Sequence, residues 1–76
     1  MPADTASEIG GNIRAQMGRQ RISMAELARR TGINRTTLAH RIDVGGVTAG
    51  NLVDIADALD IEPSDLLPPR TVRASA

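Results

Sequence analysis

Apolar residues along this chain return every three or four positions, and no segment alternates as a strand would. Ile9, Ile13 and Met17 fall one helical turn apart, which predicts a first helix reaching about Gln20. Thr5 and Glu8 are spaced as a capping box for its start. Gly10, Gly11 and Gly18 each cost such a helix about 1 kcal/mol against alanine, so it needs tertiary partners to persist. Ser23 and Glu26 repeat the capping-box spacing and predict a second helix over 24–30, with Leu27 and Ala28 inward and Ala28 small enough for a close crossing. Gly32 can take the positive φ that ends it. Asn34 can cap a third helix over 35–43 that buries Leu38 and Ile42 and leaves Arg35, Thr36, Ala39 and His40 outward or sideways. Gly45 and Gly46 close it. Thr48 then caps a fourth, in which Leu52, Ile55, Ala56 and Leu59 make an apolar stripe opposite Asp54 and Asp57. Pro63 and Ser64 suit the start of a short fifth helix, which Pro68 and Pro69 stop.

The expectation is an all-α fold of five short helices. A flexible N-terminus over 1–7 and a flexible tail over 68–76 flank a domain at 8–67. Seventy-six residues are the size of one domain, near the lower limit for a self-sufficient core. With no cysteine and one histidine, neither a disulfide framework nor a metal site is expected. No apolar run approaches the ~20 residues that cross a bilayer, and there is no signal-peptide pattern at the N-terminus. These features point to a cytoplasmic protein. Nucleophile-with-base pairs and phosphate-binding glycine loops are lacking too, so neither catalysis nor a cofactor nor a small-molecule ligand is expected.

The formal net charge is zero, but the charge is sorted. Arg14, Arg19, Arg21, Arg29, Arg30, Arg35 and Arg41 share their stretch with one acid, Glu26, whereas Asp43, Asp54, Asp57, Asp60, Glu62 and Asp65 follow with no basic residue among them. A basic side and an acidic side suggest a polyanion partner. Single-stranded nucleic acids and most sequence-specific RNA targets are gripped by stacking bases on aromatic rings, and this chain has no Phe, Tyr or Trp. Double-stranded DNA needs no such platform, because its major groove accepts a helix and its phosphates take Arg, Ser, Thr and Asn.

Two short helices joined by a glycine turn, with the sequences I-S-x-x-E-L-A at 22–28 and T-G-I-N-R-T-T-L at 31–38, are followed by L-V-D-I-A-D-A-L-D-I-E-P-S-D-L-L at 52–67. Together these resemble the lambda-repressor-like helix-turn-helix family, which includes the Cro and C repressors of temperate phages. The arginine-only basic set is closest in style to regulators of actinobacteria and their phages. The resemblance implies that the first two residues of the third helix, and the residue four beyond the second, reach base edges; here these are Arg35, Thr36 and His40. Ser23, Asn34, Thr37, Arg41 and Arg14 are candidate contacts to the DNA backbone, while Arg29 and Arg30 supply long-range attraction. Three positions depart from the family pattern: Met24 stands where a glutamine is common, Arg41 where an apolar group is common, and Asp60 where a glycine closes the fourth helix.

The function these features imply is a sequence-specific transcriptional regulator, a phage or prophage repressor that occludes a promoter. The alternatives are an antitoxin that also binds a toxin protein, for which only the short tail is available, and a phage excision factor, whose β-wing has no counterpart among the predicted elements. Leu66, Leu67, Pro68 and Val72 form an apolar end through which two copies could pair as a homodimer.

Overall fold

The structure is a computed structural model that describes residues 5–67, with side chains from Glu8 onward. It contains α1 (Thr5–Gln20), α2 (Met24–Thr31), α3 (Arg35–Val44) and α4 (Ala49–Leu59), followed by a single 3₁₀ turn at Pro63–Leu66. The fold is all-α as expected, and among the described residues the fifth element is this turn rather than an α-helix. Four residues between two prolines at 63 and 68 leave no room for an α-helical hydrogen-bond ladder. Of the expected flexible N-terminus over 1–7, residues 5–7 belong to α1, while residues 1–4, the tail at 68–76 with Pro68, Pro69 and Val72, and the capping side chain of Thr5 lie outside what is described. Among the described residues no helix is long and apolar enough to cross a membrane.

The stripe read from the sequence is the core. Ile13, Met17, Leu27, Ala28, Leu38, Ile42, Ile55, Ala56, Leu59 and Leu66 are buried together, drawn from every helix and from the 3₁₀ turn. Each fully buried Leu or Ile is worth roughly 1.5–3 kcal/mol, so a handful of them decides whether so small a domain folds. Leu66, expected at an apolar dimer end, is wholly buried and closes the monomer's own core; Leu67 beside it is 44% exposed.

Helix α3 packs on α1 and α2, whereas α4 packs on α2, α1 and the 3₁₀ turn. At the α1–α3 crossing Gly10 is buried, and a Cβ built on it would sit 2.4 Å from the Ile42 carbonyl oxygen. Its cost in helix propensity is the condition for that close approach. Gly11 and Gly18 meet nothing and carry the cost without such a return.

Helix ends are closed largely as the sequence implied. Asn34 Oδ1 accepts from the Thr36 and Thr37 amides at 2.9 and 3.2 Å, Gly32 and Gly45 adopt the left-handed conformation after α2 and α3, and Asp60 does so after α4 with φ 59°. The Ser23–Glu26 capping box is only half made. Ser23 Oγ accepts from the Glu26 amide at 3.1 Å, but the Glu26 carboxylate turns to Arg29 and Arg30 instead of returning to Ser23. A reciprocal box does form where the sequence showed only a threonine cap, at Thr48 and Asn51. The four carbonyls that α4 leaves open at its end are all met: Ala56 and Asp57 by the amides of Asp60 and Ile61, Ala58 by Arg30 at 3.0 Å, and Leu59 by Gln20 at 2.7 Å. Asn12 likewise donates to the Leu66 carbonyl at 2.9 Å, holding the 3₁₀ turn on α1.

Candidate nucleic-acid interface

Helix α3 owes its exposed face to the same periodicity that anchors it. Leu38 and Ile42 are buried one turn apart, so His40 is carried to the opposite side, with Thr36 and Thr37 flanking it and Arg35 at the helix start; all four are exposed. Because α2 and α3 are both seated on the core, this face is presented by a supported helix rather than by a loop.

The capping residues have chemistry to spare. Asn34 spends its carbonyl oxygen on the Thr36 and Thr37 amides, which keeps its NH₂ group as a donor. Ser23 accepts from the Glu26 amide through its oxygen lone pair and keeps its O–H as a donor. Both are exposed. Each can therefore meet a phosphate oxygen without surrendering its cap.

The arginines divide sharply. Arg29 and Arg30 are paired with Glu26, Arg30 through Nε at 2.8 Å, and Arg30 also caps α4. The hydrogen bond from Arg29, then that from Arg30, holds the Glu26 carboxyl below its usual range against the opposing effect of partial burial. Of these two residues, both expected to supply long-range attraction, Arg30 joins α2 to α4, while the contact of Arg29 stays within α2. Arg14 forms an ion pair with Asp43 at the end of α3. Arg41 is half-buried and donates to Asn51 Oδ1 at 3.1 Å. Among the described residues no hydrogen bond or ion pair holds the Arg35 guanidinium, and no acid lies between Glu26 and Asp43 in the chain. Arg35 is thus an available bidentate donor on a helix start whose field lines are not cancelled locally.

Of the eight residues singled out from the sequence, Asn34, Arg35, Thr36 and Thr37 lie together at the start of α3 with His40 one turn beyond Thr36, and Ser23 caps the start of α2. Arg14 and Arg41 belong to the other end of α3, each already engaged within the protein. The residue that sequence reading missed is Asn51, whose side chain serves both the α4 cap and Arg41. Its spacing from Thr48 is that of a capping box with an amide in place of the usual glutamate or glutamine, and that was the available signal. Met24, one of the departures from the family pattern, leans on the core instead of offering a polar head.

The sequence profile of the Cro/C1-type HTH DNA-binding domain family matches residues 12–69. The chain belongs to that family. It is a DNA-binding transcriptional regulator, and its second and third helices are the helix-turn-helix. Among solved structures it is similar to the restriction-modification controller protein C.AhdI from Aeromonas hydrophila, with 28% sequence identity, a TM-score of 0.71, and coverage of 80% of this chain and 94% of that one. A search of the curated proteins gives no match.

In the family the second helix of the motif is the one that enters the major groove, with its N-terminal residues on base edges. In this chain the corresponding helix is α3 (Arg35–Val44).

Proposed function

We propose that the protein recognises a specific double-stranded DNA site and represses transcription there by occluding a promoter, without catalysis and without a cofactor. The observation that carries this is the exposed first half of α3, where an unengaged Arg35 and the hydroxyl of Thr36 stand on a helix fixed by two buried residues. Arg35 reads guanine O6 and N7 with its two-pronged guanidinium, Thr36 offers its hydroxyl to a base or its methyl to thymine, and His40 completes the set one turn on. Ser23, Asn34 and Thr37 bind phosphates and set the register, and Arg14 joins them if DNA draws it from Asp43. The working compartment is the cytoplasm, where such DNA lies.

Two copies bind together in this reading, through the end of the domain that exposes Leu67, on half-sites about 34–36 Å apart. A second reading concerns the genes controlled. The similarity to a restriction-modification controller favours an operator beside restriction and modification genes, whereas the Cro-like motif also suits a phage or prophage immunity switch.

Selection of bound fragments from a random duplex library tests the proposal. The expected result is an enriched motif containing at least one guanine that depends on Arg35, bound in preference to single strands of the same sequence. An enriched inverted repeat supports the dimer, and its position in a genome separates the two regulatory readings. Failure to enrich any motif, with equal affinity for single and double strands, overturns specific duplex recognition.

A further inference from the structure

Helices α3 and α4 are joined by a short loop but pack mainly on other elements: α3 rests on α1 and α2, and α4 on α2, α1 and the 3₁₀ turn. Among the described residues a single side-chain hydrogen bond links them directly, from Arg41 to Asn51 Oδ1 at 3.1 Å. Arg41 also closes the junction from its other end. Its carbonyl accepts from the Gly45 and Gly46 amides, the latter at 2.8 Å, in the turn that leaves α3. Asn51 is equally committed, since Oδ1 also accepts from the Thr48 amide at 3.4 Å and its own amide donates to Thr48 Oγ1 at 3.1 Å. One oxygen thus ties the last turn of α3 to the first turn of α4.

We infer that Arg41 is a positioning residue for DNA recognition, acting through Asn51 to fix the tilt of α3, and not a phosphate contact. Arg41 is half-buried with its guanidinium already directed at an acceptor, unlike the exposed and unengaged Arg35. A neutral amide acceptor leaves the arginine's charge uncompensated, so what the pair supplies is direction rather than charge cancellation. Leu38 and Ile42, one turn apart on a single stripe, resist withdrawal of α3 from the core but resist rocking about that stripe much less. Rocking would carry Arg35, Thr36 and His40 across the groove, and the Arg41–Asn51 link at the far end of α3 opposes it.

This assignment rests on the proposed duplex-binding role of α3. It is tested with Arg41→Met, Asn51→Ala, the double variant and Asn51→Asp, by measuring affinity for the selected site and for unrelated duplex over a range of salt. Arg41→Met leaves the Thr48–Asn51 cap in place, so it reports on the link even if Asn51→Ala loosens α4. The expectation is that Arg41→Met and Asn51→Ala each lose about tenfold in specific over non-specific affinity, the loss of one charge-assisted hydrogen bond. The double variant should lose no more than either, Asn51→Asp should recover most of the loss, and the salt slope should stay unchanged throughout. Faster amide exchange at Gly45 and Gly46 in free Asn51→Ala, absent from Asn51→Asp, would support the same role. The assignment is overturned if Arg41→Met weakens specific and non-specific binding equally and lowers the salt slope by about 0.9, the signature of one lost phosphate contact, while Asn51→Ala is silent. A wild-type protein that binds no duplex overturns the proposed function and this assignment together; a wild type that binds, with that second pattern in the variants, overturns the assignment alone.

Discussion

Adjacent glycines in α1 should respond to alanine with opposite signs. A Cβ on Gly10 would lie 2.4 Å from the Ile42 carbonyl oxygen, 3.4 Å from the carbonyl carbon and 3.6 Å from Ile42 Cγ2. Carbon and oxygen seldom approach closer than about 3.3 Å even in favourable C–H···O contacts, so α1 and α3 must separate by roughly 1 Å. The obstructing atom is backbone in the last turn of α3 and cannot swing aside as a flexible side chain would. Overpacking of this kind costs about 1–3 kcal/mol, offset by up to about 1 kcal/mol from alanine's better helix propensity. Gly10→Ala should then destabilise by roughly 1–2 kcal/mol, lowering Tm by about 4–16 °C in a domain of this size. Gly11 is exposed with nothing near its missing Cβ. Gly11→Ala should stabilise by about 0.5–1 kcal/mol and raise Tm by about 2–8 °C. Thermal unfolding followed by circular dichroism reads both. If Gly10→Ala gains stability as Gly11→Ala does, α1 and α3 do not approach as described, and the support behind the recognition face is wrong.

Arg35→Ala should cost about 1–3 kcal/mol on the selected site and relax preference at one base pair; an equal fall in specific and non-specific affinity would make Arg35 a phosphate contact. Glu26 has a depressed pKa in the folded state, so its pairing with Arg29 and Arg30 stabilises the fold at neutral pH and fades as pH falls below about 4.3 and through the folded value. Glu26→Gln should therefore shrink the gap from wild type as pH drops from 6 toward about 3, and a gap independent of pH would contradict the pairing. Asn34→Ala should cost about 0.5–2 kcal/mol in stability through the lost cap, and more than that in DNA affinity would be needed to credit its NH₂ with a phosphate. Leu67→Asp should leave Tm nearly unchanged and reduce light-scattering mass on a two-half-site duplex; unchanged mass would assign pairing to another surface or to none.

The fold was legible because its core is written in helical spacing: Ile13 and Met17, Leu38 and Ile42, and Ile55 with Ala56 and Leu59 are each one turn apart or adjacent on one face, and each is buried. The end signals were legible for the same local reason, with Asn34, Gly32 and Asp60 acting within a few residues of themselves. What the sequence concealed is where long polar side chains go once distant helices meet. Gln20 and Asn12 look like the wet face of α1 but meet carbonyls of Leu59 and Leu66. Glu26 has the spacing of a box partner, yet two arginines one turn on offered its carboxylate a stronger acceptor role. Gly10 looked like a plain defect, since nothing local reveals a carbonyl arriving from α3.

The candidate site was legible only in part, and the difference among its arginines explains why. Charge sorting along the chain counts guanidinium groups but does not say which are already engaged. In the folded domain Arg14, Arg29, Arg30 and Arg41 are drawn into the protein's own contacts, at Asp43, Glu26, Ala58 and Asn51. Exposed ion pairs such as Arg14–Asp43 contribute little to stability, so a polyanion that offers many phosphates at once can break them at small cost, whereas the half-buried Arg41 with its neutral acceptor is not such a pair. The consequence for recognition is an order of engagement. Arg35 can meet DNA without breaking any contact, whereas Arg14 must first leave Asp43. In the proposed reading, specific readout therefore concentrates at the start of α3, and Arg41 at its far end holds the helix in place.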